Sequence, residues 1–582
     1  MAFFTRWYWI IGSLQSVLWA QERDVEIALR RVYDHLLVGD SFHAMQEGKV
    51  LIDIDPGSVK ARSAYLTSLC LEGEEMEALE QFALIWNDSD VEVDKYRVME
   101  TLAWGVLHKG GKSPLLLSRF YALIGAAMTH DAKALPLLLE AMRGSNALLR
   151  SLAIKLSISY GDAPLRHELL RLLEQERVWF VRLEAIKAVG VLHMKEAQET
   201  LCHILEHPKN QLEEKVAAIR SLVSIYESIK PHELDILLTS KRADLRLLGS
   251  ALIASLQLYE EKERLSALLH DTSMDVRFSA LHTLGMLQIK ELNGRTTVEE
   301  IEPLLQSTHP ALSITASWLA LYLGYQEGLD RLRTWMEEGS DVIRRLASSA
   351  LSVLGPRAIP LIKERIVLEK DLFVRVHLAL GLLGQRVETD LACEVLYEAL
   401  QQETKELWMW KRAQYSGFRM LATSTVRLVD QIPRYPQMVD QMTRLELLSM
   451  LCMLQYPKAL EAVRSFLQKQ EWGITGMAGA ILLQEGDASA LEVVEALLQD
   501  EDTHVRLQAG FLLGTLHRSS KALDVLMNSY DKASKEERTE ILEALGMIGD
   551  RKSLSFLLQV LQEPFQGLRT VSACAILQCL HH

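Results

Sequence analysis

A pattern that returns about every 32 residues constrains this chain more than any other feature. An acidic residue, then Val or Leu, then Arg, then apolar residues at helical spacing that often reach Gly, recurs along the sequence. Instances run from Val181-Arg182-Leu183 to Gly190, from Asp275-Val276-Arg277 to Gly285 and from Val505-Arg506 to Gly514. The arginine-equivalent positions are 119, 150, 182, 215, 246, 277, 313, 344, 375, 412, 444, 475, 506, 538 and 569, and most successive differences are 31 to 33. An accidental match would drift within a few copies, so the period implies an array of one repeated unit.

Within a copy the apolar residues share one helical face. Val276, Ala280, Leu284 and Leu287 are spaced i, i+4, i+8 and i+11, as are Ile343, Ala347, Leu351 and Leu354; this is helix periodicity and not strand alternation. A second apolar helix precedes each one: Leu491 to Leu498 is followed by the turn-like Asp500-Glu501-Asp502-Thr503. Each unit is therefore a helical hairpin. Such a pair cannot cover its own apolar face, so neighbours must stack. The expected fold is all-α, an elongated solenoid of antiparallel helix pairs with about fifteen units, on the order of 120–150 Å along its curve.

The two-helix unit with Asp-x-Val-Arg entering its second helix resembles the short HEAT-like repeats of phycobilisome lyases, and the resemblance covers about residues 113–582. It implies a ladder of stacked Asp and Arg along the array, with Arg182, Asp244, Arg246, Asp275, Arg277, Arg344, Arg375 and Arg506 as structural members. Position 215 holds Lys, 313 Ser and 475 Thr, and the ladder is open to interruption there. Residues 21–112 read differently. Ala44 and Ala78 each follow a turn at an interval of 34, and Leu71-Glu72-Gly73-Glu74-Glu75-Met76-Glu77-Ala78-Leu79 resembles the second-helix entry of a tetratricopeptide repeat, with a generic helical cap as the competing reading. Lys109-Gly110-Gly111-Lys112-Ser113-Pro114 marks the boundary between the two segments.

The net charge of -14 repels phosphate backbones and anionic lipid, which disfavours nucleic acid as a partner. The cysteines at 70, 202, 393, 452, 574 and 579 are scattered in apolar helical text with no zinc spacing, and read as small core residues. At the amino terminus, Arg6 precedes an apolar run from Trp7 to Trp19, and Ala20 is followed by Gln21-Glu22-Arg23-Asp24. This predicts a bacterial-type export signal at 1–20 cleaved after Ala20, hence a protein of the periplasm or cell envelope. An uncleaved amphipathic first helix in a cytoplasmic protein is the alternative. The run is short of the ~20 residues that span a bilayer, so no integral membrane segment is expected once the signal is removed.

No catalytic motif emerges. Gly111-Lys112-Ser113 would need Gly at 106, which is Val, and a preceding strand. His167-Glu168 and His232-Glu233 resemble the ligand pairs of HEAT-like di-iron hydroxylases, but those enzymes place them in second helices, where this chain has Leu183-Glu184 and Phe278-Ser279. Both pairs read as exposed surface residues. No catalytic residue, metal ligand or cofactor is expected.

Residues 386–443 disturb the period. The steps lengthen, and the stretch holds Leu407-Trp408-Met409-Trp410-Lys411-Arg412, Tyr415 and Arg419. Interfaces concentrate aromatic residues and arginine, so Trp408, Trp410, Arg412, Tyr415 and Arg419 are candidate partner contacts; mending a break in helix stacking is the other use of such side chains. The sequence thus points to a non-enzymatic scaffold for a protein or peptide. A lyase-like accessory enzyme is the alternative that the family resemblance implies. The oligomeric state is not encoded in any motif.

Overall fold

The computed structural model describes residues 25–87, 95–207, 209–402, 407–412, 418–423, 435–468 and 488–581. The export-signal run at 1–20 and the copy at Thr475 lie outside them. The architecture is an α-solenoid: helix pairs follow one another along the chain, among them Pro231–Leu238 with Ala243–Ser255, Gln326–Glu338 with Asp341–Ser352, and Ile359–Leu368 with Leu372–Gly384. The residues chosen by periodicity face the core. Val276, Ala280 and Leu284 have no exposure, nor do Ala347 and Leu351.

Several second helices end in the same way. Two residues past the last helical residue the backbone turns left-handed, at His193, Gln257, Gln288, Arg386 and Gln455. The next amide then reaches back to a carbonyl five residues earlier, as Met194 does to Val189, Ile289 to Leu284 and Tyr456 to Leu451. This is the capping arrangement that satisfies terminal carbonyls, normally with Gly. Its use of large polar residues explains why glycine is an incomplete marker of the period.

The repeat arginines act mainly at the start of the second helix. Arg150 donates to the carbonyls of Gly144 and Ser145, Arg506 to those of Asp500 and Glu501, and Arg277 to that of Asp271. Each therefore satisfies carbonyls at the end of the preceding helix, where cations are favoured. A ladder of acid–base pairs runs between repeats as well: Arg182 to Glu214 at 2.6 Å, Lys215 to Asp244 at 3.2 Å, Arg246 to Asp271 at 2.6 Å and Arg375 to Glu398 at 3.2 Å. Burial alone would raise the Asp244 carboxyl, but hydrogen bonds from Arg242 and Lys215 hold it below the usual carboxylate range. Arg344 reaches Asp341 and Glu369, while its neighbour Arg345 takes Asp371 in a two-pronged pair. Asp275 departs from the expected ladder: its Oδ1 is buried with no partner, burial raises its pKa, and Arg246 pairs with Asp271 instead. At Ser313 the hydroxyl donates to Leu305 O at 2.6 Å, so a smaller donor fills the arginine's place.

The chain forms two compact units, residues 1–165 with 513–582, and residues 166–512. In the first, helices Ser41–Ile54 and Glu75–Asn87 begin at the interval set by Ala44 and Ala78, both fully buried. Helix Lys95–Gly111 continues up to the predicted boundary, and the compact units divide elsewhere. The carboxy-terminal helix Gln566–His581 lies against Lys95–Gly111, Leu116–Met128 and Lys535–Ile548. A Cβ on Gly125 would stand 2.8 Å from that of Cys574, and one on Gly110 3.1 Å from the Thr570 hydroxyl. Ser113 Oγ donates to Gln566 Oε1 at 2.8 Å, and Arg569 pairs with the buried Glu75 at 3.1 Å. The last repeat is thus packed within this unit, not left as a free end. Cys70, Cys574 and Cys579 are buried here, and Cys393 and Cys452 in the other unit; Cys202 is half-buried.

Among the described residues of 166–512, two β-hairpins interrupt the helices. Strands β1 (Glu291–Leu292) and β2 (Arg295–Thr296) pair around Asn293-Gly294, both with positive φ, which accounts for the long step between 277 and 313. Asn-Gly is a strong two-residue hairpin signal. The second interruption builds the candidate site. Glu168, expected at the surface, is 1% exposed and pairs with Arg171, one turn along the same helix, at 2.5 Å.

Candidate partner-binding site

Helix Leu372–Gly384 is followed by Thr389–Gln401, and the next second helix, Tyr435–Met453, starts about two periods after Leu372. Between them lie β3 (Trp408–Arg412) and β4 (Arg419–Thr423), paired antiparallel with Trp408 opposite Thr423, Trp410 opposite Leu421 and Arg412 opposite Arg419. The repeat expected at 412 is therefore a hairpin and not a helix. Aromatic residues at alternate positions favour a pleated strand that buries one face. A lone two-stranded hairpin is marginal in water, and here the helices hold it.

Three backbone groups of the hairpin are held by helix side chains. The Trp408 amide donates to Asp440 Oδ1 at 2.6 Å, the Leu421 amide to His377 Nε2 at 2.7 Å, and Ser349 Oγ donates to Arg419 O at 2.8 Å. Because Nε2 accepts, the His377 proton sits on Nδ1, which lies 2.9 Å from Ser348 Oγ. Burial pushes His377 down to about 3, with the Arg345 guanidinium adding to the effect against Asp371, so the ring is neutral and fixed in this tautomer. Asp440 also accepts from Arg444 at 3.0 Å, and the Arg444 guanidinium lies 4.0 Å from the Trp408 ring centre.

These contacts separate the five candidate residues. Trp408 is fully buried, edge-on to Phe373, and serves as the anchor of the hairpin; it offers no surface to a partner. Trp410 is half-buried, with the Arg419 guanidinium 5.2 Å above it. Arg419 is exposed and stands 3.4 Å from Glu446. Tyr415 and the side chain of Arg412 lie outside the described residues.

Beside the hairpin is a cavity of about 1050 Å³. Trp410, Phe418 and Arg419 line it from the hairpin, with Trp318, Met450 and Glu446 among the helix residues that complete it. Trp318 stacks on Tyr322 and meets Phe418 edge-on at 5.7 Å, and His282 closes the cluster at 5.2 Å from Trp318. A pocket of this size, apolar with a few polar groups, matches the usual form of a binding site. His282, Trp318 and His377 were missed by sequence reading: each lies in an ordinary repeat, and only the hairpin's return across the helices gives them a shared site.

Residues 491–576 match the family model of HEAT repeats, so the chain carries HEAT-like repeats within its α-solenoid. No curated protein matches it. Among solved structures it resembles the CpcE–CpcF complex of phycocyanin lyase from Nostoc sp. PCC7120, at 16% identity and a TM-score of 0.24 over 45% of this chain and 97% of that one. It also resembles UNC-45 from Drosophila melanogaster, at 12% identity and a TM-score of 0.32 over 94% and 82%. Human deoxyhypusine hydroxylase is similar at 19% identity and a TM-score of 0.20 over 44% and 96%. No helix among the described residues is long and apolar enough to cross a membrane.

Proposed function

We propose that the chain is a non-enzymatic scaffold that holds a protein or peptide along the second helices of residues 166–512, anchored in the cavity beside the hairpin. The cavity carries this reading: it is lined by tryptophan, phenylalanine and methionine with arginine at its edge, the composition that interface hot spots favour. Its apolar lining continues outward to Val353 and Met453, 59% and 51% exposed. Val353→Asp with Met453→Asp tests it in the full chain. Partners crosslinked to the wild type should be lost from the double variant while its thermal midpoint holds. An unchanged partner set would overturn the reading. We further propose export through the segment at 1–20; a mature terminus at Gln21 supports it, and an intact Met1 in the soluble fraction rejects it.

A further inference from the structure

We infer that the cavity beside the hairpin selects an acidic peptide, one that places an aromatic or aliphatic side chain next to a carboxylate. The inference rests on the scaffold reading above and adds the chemistry of the occupant. The floor is apolar and aromatic, with Trp318, Phe418 and Trp410 supplying ring faces and edges and Leu380, Leu383 and Met450 the aliphatic remainder. A ring or branched side chain of the occupant gains stacking and area burial there. Polar charge is confined to the edge. Among the described lining residues the charged groups are two guanidinium groups, Arg386 and Arg419, and one carboxylate, Glu446.

The Arg419–Glu446 contact is long, 3.4 Å, with Arg419 58% exposed, so it is a weak surface pair that a better-placed carboxylate can displace. Arg386 is exposed and projects from the left-handed cap that ends helix Leu372–Gly384. The described lining is therefore positive by one charge in a chain whose net charge is -14, a local reversal that favours an anionic occupant. Arginine also matches the planar, two-oxygen geometry of a carboxylate. Nucleic acid needs a succession of cations along a backbone, and two arginines beside a glutamate do not provide one. The exposed Val353 and Met453 extend the apolar floor beyond the space that one ring fills, which suits a peptide with a second apolar residue.

The test is selection of a phage-displayed random octapeptide library on the full chain, with the Arg386→Glu, Arg419→Glu double variant in parallel. Both arginine side chains are exposed, so the double variant should keep its circular dichroism and thermal midpoint. The expected result is enrichment of Trp, Phe, Leu or Met beside Asp or Glu on the wild type. The best such peptide, synthesised and labelled, should bind the double variant at least ~10-fold more weakly, with the deficit shrinking as salt rises. Enrichment of Lys or Arg, an identical set on the double variant, or no enrichment overturns the inference. If it fails while Val353→Asp with Met453→Asp still releases the crosslinked partners, the scaffold reading stands without it. If neither result appears, both readings fall.

Discussion

The carboxy-terminal junction in residues 1–165 with 513–582 and the hairpin site in residues 166–512 solve one packing problem in opposite ways. At the junction, Gly110 and Gly125 let helix backbones approach until an added Cβ would touch Thr570 or Cys574, and the last helix is buried along most of its length. At the hairpin, Trp408, Trp410 and Phe418 fill the space that a helix would have taken, and a cavity remains beside them. Small residues close an interface and large ones prop it open. A cavity therefore opens where the period fails, and the regular repeats flank it.

The contrast predicts that the hairpin depends on Trp408, which is wholly buried. Trp408→Ala should cost about 3–5 kcal/mol in urea unfolding, the range for truncating a buried aromatic side chain; a loss below about 1 kcal/mol would mean that the hairpin is dispensable to the fold. The second expectation concerns His377. Burial holds its native-state pKa near 3 against an ordinary 6.5, so the unfolded chain binds a proton that the native state excludes. Its contribution is fully present above pH 6.5 and falls as pH drops from 6.5 toward 3, by about 1.4 kcal/mol per pH unit at the steepest. Urea midpoints between pH 7.5 and 4.5 should show this slope in the wild type and a shallower one in His377→Gln.

At the junction the sign reverses, and adding atoms is what harms. Gly125→Val should cost about 1–3 kcal/mol through overpacking against Cys574, read as a lower thermal midpoint with the helical circular dichroism of the native state retained. The smallest effect belongs to the repeat caps. Gln288 is exposed with φ 52, and Gln288→Gly should raise stability by a few tenths to about 1 kcal/mol, since glycine adopts that backbone without strain.

Much of this was legible in the sequence because helix pairing imposes a period that single residues betray. Arg246, Arg277 and Arg506 stand where the period put them, and Ala280 and Ala347 face the core. The ladder's acids were harder to assign: Asp275 lies near the arginine motif in sequence, yet Asp271 makes the bond, since a difference of four residues moves a carboxylate from the helix to the turn before it. The hairpin was visible only as a disturbance. Trp408 and Trp410 could be singled out by residue type, but their different roles depend on register: Trp408 meets Asp440 and Arg444, and Trp410 meets the cavity. His377 carried no local signal at all, because its partner Leu421 lies far along the chain.

Hydrogen exchange at the Leu421 amide tests whether the hairpin is a fixed part of the solenoid that shapes the cavity. A bond to a buried, neutral His377 predicts exchange at least ~100-fold slower than for an unstructured amide, with the protection lost in His377→Ala. Exchange at the unstructured rate in the wild type would mean that the hairpin is not held there, and the cavity would lose its wall.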